Sequence, residues 1–347
     1  MEGSLKLLNQ AMVVLQECLG LQRGQELLIL WDGTVSPDLV EASRCAAAAL
    51  GARPLLLTFE PASHRPMREY ALFAAASLME SPPALPRGAM SALGSADVVL
   101  FATSDSSVFF NHEVREAVKR CKGAALNYLS TDAALRLLPE SAEEVLAVAT
   151  LTQKAGELLA VARRARVSSA MGTDLTLSFN RHASPVVQDG MARPGSRQIL
   201  PAGQVSRVPE DGSAEGILVI DRSIAAPEHR ELREPVTLTV RGGQVVSIDG
   251  GGEAARLRRF LEEKGDPGLY HVTELGIGTN RRCRFTGLAA PCEDTHTLGC
   301  VSLALGCDAH LGGSVAAAVH IDMTMWAASV DLDSRPVVAG GRILLDH

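Results

Sequence analysis

Histidines and carboxylates crowd into one stretch near the end of the 347-residue chain. Four of the nine histidines, His271, His296, His310 and His320, fall within it, interleaved with Glu274, Glu293, Asp294, Asp308 and Asp322. The most compact unit is His320-Ile321-Asp322, inside the run Val315–Met325 that reads as a strand. Side chains alternate across a strand, so His320 and Asp322 share a face and Ile321 takes the other. An imidazole beside a carboxylate supplies two ligands for a divalent metal, and the same pair also makes a buried hydrogen-bonded couple. The late cysteines offer less. Cys283, Cys292, Cys300 and Cys307 are spaced 9, 8 and 7 residues apart with no CxxC pair, so they read as core thiols and not as a zinc knot. Seven cysteines in all, an odd number with Cys18, Cys45 and Cys121 in helix-like sequence, suit reduced thiols in a cytoplasmic protein.

The elements that must position these groups come in two grammars. Through about residue 150, apolar strands at Glu26–Trp31, Pro54–Phe59, Asp97–Ala102 and Ala124–Leu129 alternate with helical patterns at Asp38–Leu50, Met67–Met79 and His112–Lys122. That alternation implies parallel βαβ units with both sheet faces covered. Met1–Gln22 reads as an amphipathic helix without a signal peptide's unbroken apolar stretch. Glu143–Arg166 reads as one long helix between the halves. Beyond it, Gly172–Leu177, Val236–Val240 and Gln244–Ile248 alternate at period two, the last two around an Arg241-Gly242-Gly243 turn, and Ala254–Lys264 is a helix.

Composition narrows the function. Lys plus Arg number 33 against 40 Asp plus Glu, a net charge of −7 that gives no basic face for nucleic acid. Mean hydropathy is +0.11, yet no window is apolar for the length of a membrane span. No GxGxxG or Walker loop follows any strand, so a dinucleotide or ATP site is not supported.

Three stretches carry a family resemblance: LPAGQVSRVPEDGSAEGILVID from Leu200, ELGIGTNRRCRFTG from Glu274, and EDTHTLGCVSLALGCDAHLGGSVAAAVHIDMTM from Glu293. They resemble the aminopeptidase T family of metallopeptidases, and LQRGQELLIL through SADVVLFATS is similar to that family's α/β domain. The resemblance implies two divalent metals held by five side chains at the mouth of the C-terminal domain, with a metal-bound water attacking a peptide. The matching positions here are Gln204, Glu274, Ser302, His320 and Asp322. Two are changed. Gln204 offers a neutral amide where a carboxylate would bridge two cations, and Ser302 replaces an imidazole with a poor ligand.

Three readings follow from that loss. In the first, an aminopeptidase-like cleft with a depleted metal site recognises a peptide with little or no peptidase activity, serving a peptide-maturation pathway. Arg281, Arg282, Arg284 and His310 are then candidate peptide contacts, Arg281 standing where a proline is common in the family. In the second, Glu274, His320 and Asp322 hold one divalent metal (Zn, Co, Mn or ferrous iron) in a mononuclear aminopeptidase or amidohydrolase, with Glu293 or His296 as general base. The third borrows from the ferrous dihydroxypyridine ring-cleaving dioxygenases, similar in fold, which place two histidines and an aspartate on one iron. Here Glu274 stands at the second histidine's position, so that set requires His271 or His310 to move in. Trp326, just after the HID strand, is a candidate pocket wall.

The expected fold is α/β: a doubly wound parallel-sheet domain over residues 1–155, then an α+β domain over 156–347 with a curved, partly barrel-like sheet. A homodimer is implied by the resemblance. The expected function is the first reading, with a peptide or peptide-like ligand and no nucleic-acid or membrane partner.

Overall fold

The computed structural model describes residues 2–60, 85–103, 108, 111–127, 129–227, 229–287 and 293–345. The helix expected at Met67–Met79 and Cys292 lie outside these residues. The fold is mixed α/β, with one parallel sheet and two antiparallel sheets, and it divides into two compact units. Described residues through Ala149 together with Gln188–Ala202 form the first, and Thr150–Val187 with the chain from Gly203 onward forms the second. Among the described residues no helix is long and apolar enough to cross a membrane.

The first unit is built on a parallel sheet in the order Arg53–Thr58, Glu26–Trp31, Val98–Ala102, Gly123–Asn127, Arg197–Leu200. Leu27, Leu28, Ile29 and Leu30 are buried, as the unbroken apolar run requires of a strand covered on both faces. Pro37 opens the Pro37–Ala49 helix, where its missing N–H goes unneeded. Asn111 caps the His112–Val118 helix, its Oδ1 accepting from Glu113 N at 2.7 Å and Val114 N at 3.2 Å. The fifth strand arrives from far along the chain, after the Ala142–Val161 helix and three strands that join the other two sheets.

That helix ends earlier than its sequence suggests. Arg164–Ser168 is a strand, and the carboxylate of Asp333 accepts from the backbone N–H of Arg163 and Arg164, giving those donors a partner outside any helix. The buried guanidinium of Arg207 closes the helix end, donating to the carbonyls of Leu159 (2.5 Å) and Ala162 (2.9 Å) and to Asn180 O (3.0 Å). A cation at a helix C-terminus meets the negative end of the peptide dipoles.

The second unit holds an eight-stranded and a seven-stranded antiparallel sheet. In the first of these, Asp174–Ser178 and Val236–Arg241 alternate buried and accessible residues, as the period-two pattern predicts, and Arg164–Ser168, whose start was expected to be helical, alternates in the same way. One apolar cluster draws on both sheets, with Leu175, Leu177 and Leu238 from one and Leu275, Leu303, Ile321 and Met323 from the other. Each such side chain contributes on the order of 1.5–3 kcal/mol when fully buried. Leu257 and Leu261 of the Gly252–Lys264 helix complete it.

The seven-stranded sheet runs His229–Glu231, Ser223–Ala225, His320–Met325, Val301–Gly306, Val272–Gly278, Gln204–Arg207, Val186–Gln188. The strand expected from Val315 begins only at His320. Carboxylates claim the preceding N–H groups instead: Asp308 Oδ1 accepts from Val315 N (2.8 Å) and Asp266 Oδ2 from Ala318 N (2.7 Å).

Candidate metal centre

Three neighbouring strands of that sheet, VTELGIG, VSLALG and HIDMTM, are almost wholly buried on both faces, yet only one face is greasy. Leu275, Ile277, Leu303, Leu305, Ile321, Met323 and Met325 enter the apolar core. The opposite face carries the polar and small residues in register: Glu274 beside Ala304 beside Asp322, Gly276 beside Ser302 beside Thr324, and Gly306 beside His320. A buried polar face is tolerated only where its groups find partners or a ligand. Ala304 is the small residue between the two acids. Strands lie about 4.8 Å apart, so Glu274 and Asp322 can converge only by reaching over a short side chain.

They do converge. The ligand atoms of Glu274, His320 and Asp322 all lie within 4.8 Å of one another. His320 Nε2 is 3.1 Å from Glu274 Oε2 and 3.4 Å from Asp322 Oδ1, while His320 Nδ1 is 2.8 Å from the Cys307 carbonyl. The carbonyl contact makes Nδ1 the donor and turns Nε2 toward the two acids, the usual way a backbone group orients a ligating imidazole. Burial on its own would lower the imidazole pKa, but Asp322, and then Glu274, outweigh it and hold His320 well above its ordinary value. Two carboxylates and an imidazole are a donor set for a divalent cation that takes oxygen and nitrogen ligands. Asp322, with 29% of its side chain exposed, is the most open of the three.

Ser302 sits beside this group with its Oγ buried and without a hydrogen-bond partner among the described residues. Its Oγ and Gln204 Nε2 both press on the space above Gly276, where the Ser302 oxygen leaves no room for a Cβ; Glu274 Oε1 is 3.6 Å from the same point. Gln204 and Ser302, the two changed positions that the family resemblance singled out, therefore flank Glu274.

The remaining candidates divide. The His310 ring meets His320 edge to face at 4.7 Å, which brings it to the ligand group. His271 is held elsewhere, its Nδ1 3.0 Å from Asp211 and its Nε2 2.9 Å from Gln244. Glu293 and His296 are fully buried in the short Glu293–His296 helix, and Glu293 Oε1 accepts from Arg284 N at 3.1 Å. Arg281 and Arg284 are exposed, and Arg282 N donates to Asn280 Oδ1 at 2.8 Å. Sequence reasoning did not single out Arg222 or Phe285, whose side chains meet Trp326. They come from separate segments with no shared motif, so no local signal marked them. Among the described cysteines, all six are free, and Cys18, Cys121, Cys283, Cys300 and Cys307 are buried.

Comparison with known proteins places this geometry in context. The NicX family model, described as 2,5-dihydroxypyridine 5,6-dioxygenase, matches residues 6–345. A curated 2,5-dihydroxypyridine 5,6-dioxygenase of Pseudomonas putida is 29% identical over 220 residues, 60% of this chain and 61% of the length of that relative. A solved 2,5-dihydroxypyridine dioxygenase structure from Pseudomonas putida KT2440 superposes with a TM-score of 0.80 at 23% identity, covering 99% of this chain and 98% of its own. AmpT from Thermus thermophilus superposes with a TM-score of 0.66 at 14% identity, covering 98% and 99%. The resemblance to aminopeptidase T thus holds for the fold. The family match overturns the expected aminopeptidase-like, peptide-binding protein of little activity, and with it hydrolase chemistry and a peptide ligand. Counting ligands for two cations led to that expectation, whereas the strand face brings three potential ligand atoms, from Glu274, His320 and Asp322, within 4.8 Å of one another.

Proposed function

Because the chain belongs to the NicX family of 2,5-dihydroxypyridine 5,6-dioxygenases, we propose that it opens the ring of a small dihydroxylated aromatic substrate with dioxygen, using one divalent metal held by Glu274, His320 and Asp322. The convergence of these three side chains on one buried strand face is the observation that supports the reading most strongly. Ferrous iron bound there supplies the redox chemistry that dioxygen needs and a positive charge that favours an ionised ring hydroxyl. The donor set fits such a cation, and the unpartnered Ser302 hydroxyl beside Glu274 leaves one more polar group for whatever occupies the site.

The chain's own groups have separable tasks. The Cys307 carbonyl fixes the tautomer and direction of His320. Ala304 and Gly306 keep the floor low so that Glu274 and Asp322 meet above it. The partly exposed side of Asp322 is the approach for substrate. Ser302 Oγ donates to a ring hydroxyl or accepts from a ring N–H, orienting the ring against the carboxylates. The buried apolar face below keeps the three strands in register. The six free thiols among the described residues suit a reducing, cytoplasmic setting, in which ferrous iron also persists.

Metal content and oxygen uptake together test this. Protein loaded anaerobically is expected to hold about one ferrous ion per chain and to consume dioxygen when given 2,5-dihydroxypyridine or a ring-substituted relative. His320→Ala should lose both properties, because it removes one ligand and the group that both acids face. A fully loaded protein that consumes no dioxygen with any dihydroxylated ring would sink the proposal.

A further inference from the structure

Past Asp322, the His320–Met325 strand leads to a second cluster that neither the ligand group nor the core explains. Arg222 N donates to Thr324 O at 3.2 Å, and the adjoining Ser223 hydroxyl bonds the Thr324 hydroxyl at 2.6 Å. Arg222 is thereby anchored next to the strand whose face carries Asp322. Its guanidinium lies 5.3 Å from the Trp326 ring centroid and 5.7 Å from that of Phe285, and the two rings meet edge to face at 5.4 Å. Trp326 is 47% exposed, with its backbone N–H tied to Asp221 Oδ1 at 2.8 Å. The Phe285 segment is pinned by buried carboxylates, Arg284 N to Glu293 Oε1 and Thr286 N to Asp294 Oδ1. Rigid aromatic surface and a cation are thus held in place at low conformational cost.

The guanidinium is incompletely used. Its Nη1 is a loose 3.6 Å from Glu231, and its Nε is buried with no hydrogen-bond partner among the described residues. Two carboxylate ligands already balance a dication, so an anionic substituent on the substrate needs a counter-charge of its own. Trp326 lies four residues beyond Asp322, roughly 13 Å along a strand. That is the scale of one substituted ring and the side chains gripping its two ends.

We propose that Arg222, Phe285 and Trp326 form a recognition patch for a carboxylate carried by the aromatic substrate, with the ring against Trp326 and the carboxylate on the Arg222 Nε edge. The substrate class rests on the ring-cleaving reading, but binding to metal-free protein tests the patch separately. Calorimetric titration of the metal-free full chain with pyridine-3-carboxylate and with pyridine-3-carboxamide compares an anion with its neutral isostere. The carboxylate is expected to bind at least tenfold tighter. Arg222→Met should erase that difference, and Arg222→Lys, which keeps the charge but loses the planar fork, should keep only part of it. Trp326→Ala should weaken both ligands by a similar factor. Mn(II) uptake should be unchanged in all three variants. Equal affinities, no binding of either compound, or a preference surviving Arg222→Met would overturn the patch. Loss of Mn(II) uptake in both Arg222 variants would make Arg222 a structural prop and overturn it equally. Absent oxygen uptake by loaded protein counts against the catalytic reading and leaves the binding result standing.

Discussion

Ser302 separates stability from function at a single residue. A buried hydroxyl without a partner costs about 1–3 kcal/mol of desolvation, and strand Val301–Gly306 keeps it nonetheless. Ser302→Ala is therefore expected to raise the stability of the metal-free protein by about 1 kcal/mol in urea unfolding while weakening binding of the dihydroxylated ring. A drop in stability with unchanged ring affinity would show that the hydroxyl serves the fold. Glu274 makes a related point about charge. With Asp322 it gives the site two carboxylates, so a bound dication is neutralised where a second histidine would leave a positive charge. Hard oxygen donors favour ferrous and manganous ions over softer metals.

Loops and strands around the site show how elements hold such residues in place. The 308–315 segment, which carries His310, is closed by Asp308: its carboxylate accepts from Val315 N and sits where Gly313 would need space for a Cβ. Burial raises the Asp308 pKa from 3.8 to about 6, against the pull of the Val315 N–H and of His320. The folded chain then holds this proton more tightly than the unfolded chain. Its stabilising contribution is complete below about pH 4 and is lost as pH rises through about 6, up to about 3 kcal/mol. Asp308→Asn retains the acceptor for Val315 and removes the titration. The stability of the variant relative to the natural chain should therefore rise between pH 4 and pH 7 in metal-free urea unfolding, and a constant difference would refute the assignment. Strand legibility follows the same physics. The alternation in HIDMTM predicted which face His320 and Asp322 share because a strand fixes it locally. Val315–Val319 misled because side-chain carboxylates, Asp308 seven residues back and Asp266 far away in sequence, take its N–H groups.

At the level of the whole molecule, the α/β class was readable from the spacing of apolar runs, whereas long-range assembly was not. Arg197–Leu200 joins the first unit's sheet by pairing with Gly123–Asn127, a partner far away in sequence. Arg222, Phe285 and Trp326 likewise meet from three segments. The chemistry was half legible. Glu274, His320 and Asp322 stood out, but treating Gln204 and Ser302 as lost ligands for a second cation pointed to a crippled peptidase. On the folded strand face, those two residues flank Glu274 beside His320 and Asp322, the group that the proposed function assigns to a single metal. Isotope labelling tests the central claim most directly: ferrous-loaded protein, a dihydroxylated pyridine and ¹⁸O₂, with the ring-opened product read by mass spectrometry. The account predicts two labelled oxygens per product molecule, and no product from Asp322→Ala. Unlabelled product, or a ring left intact by fully metal-loaded protein, would contradict it.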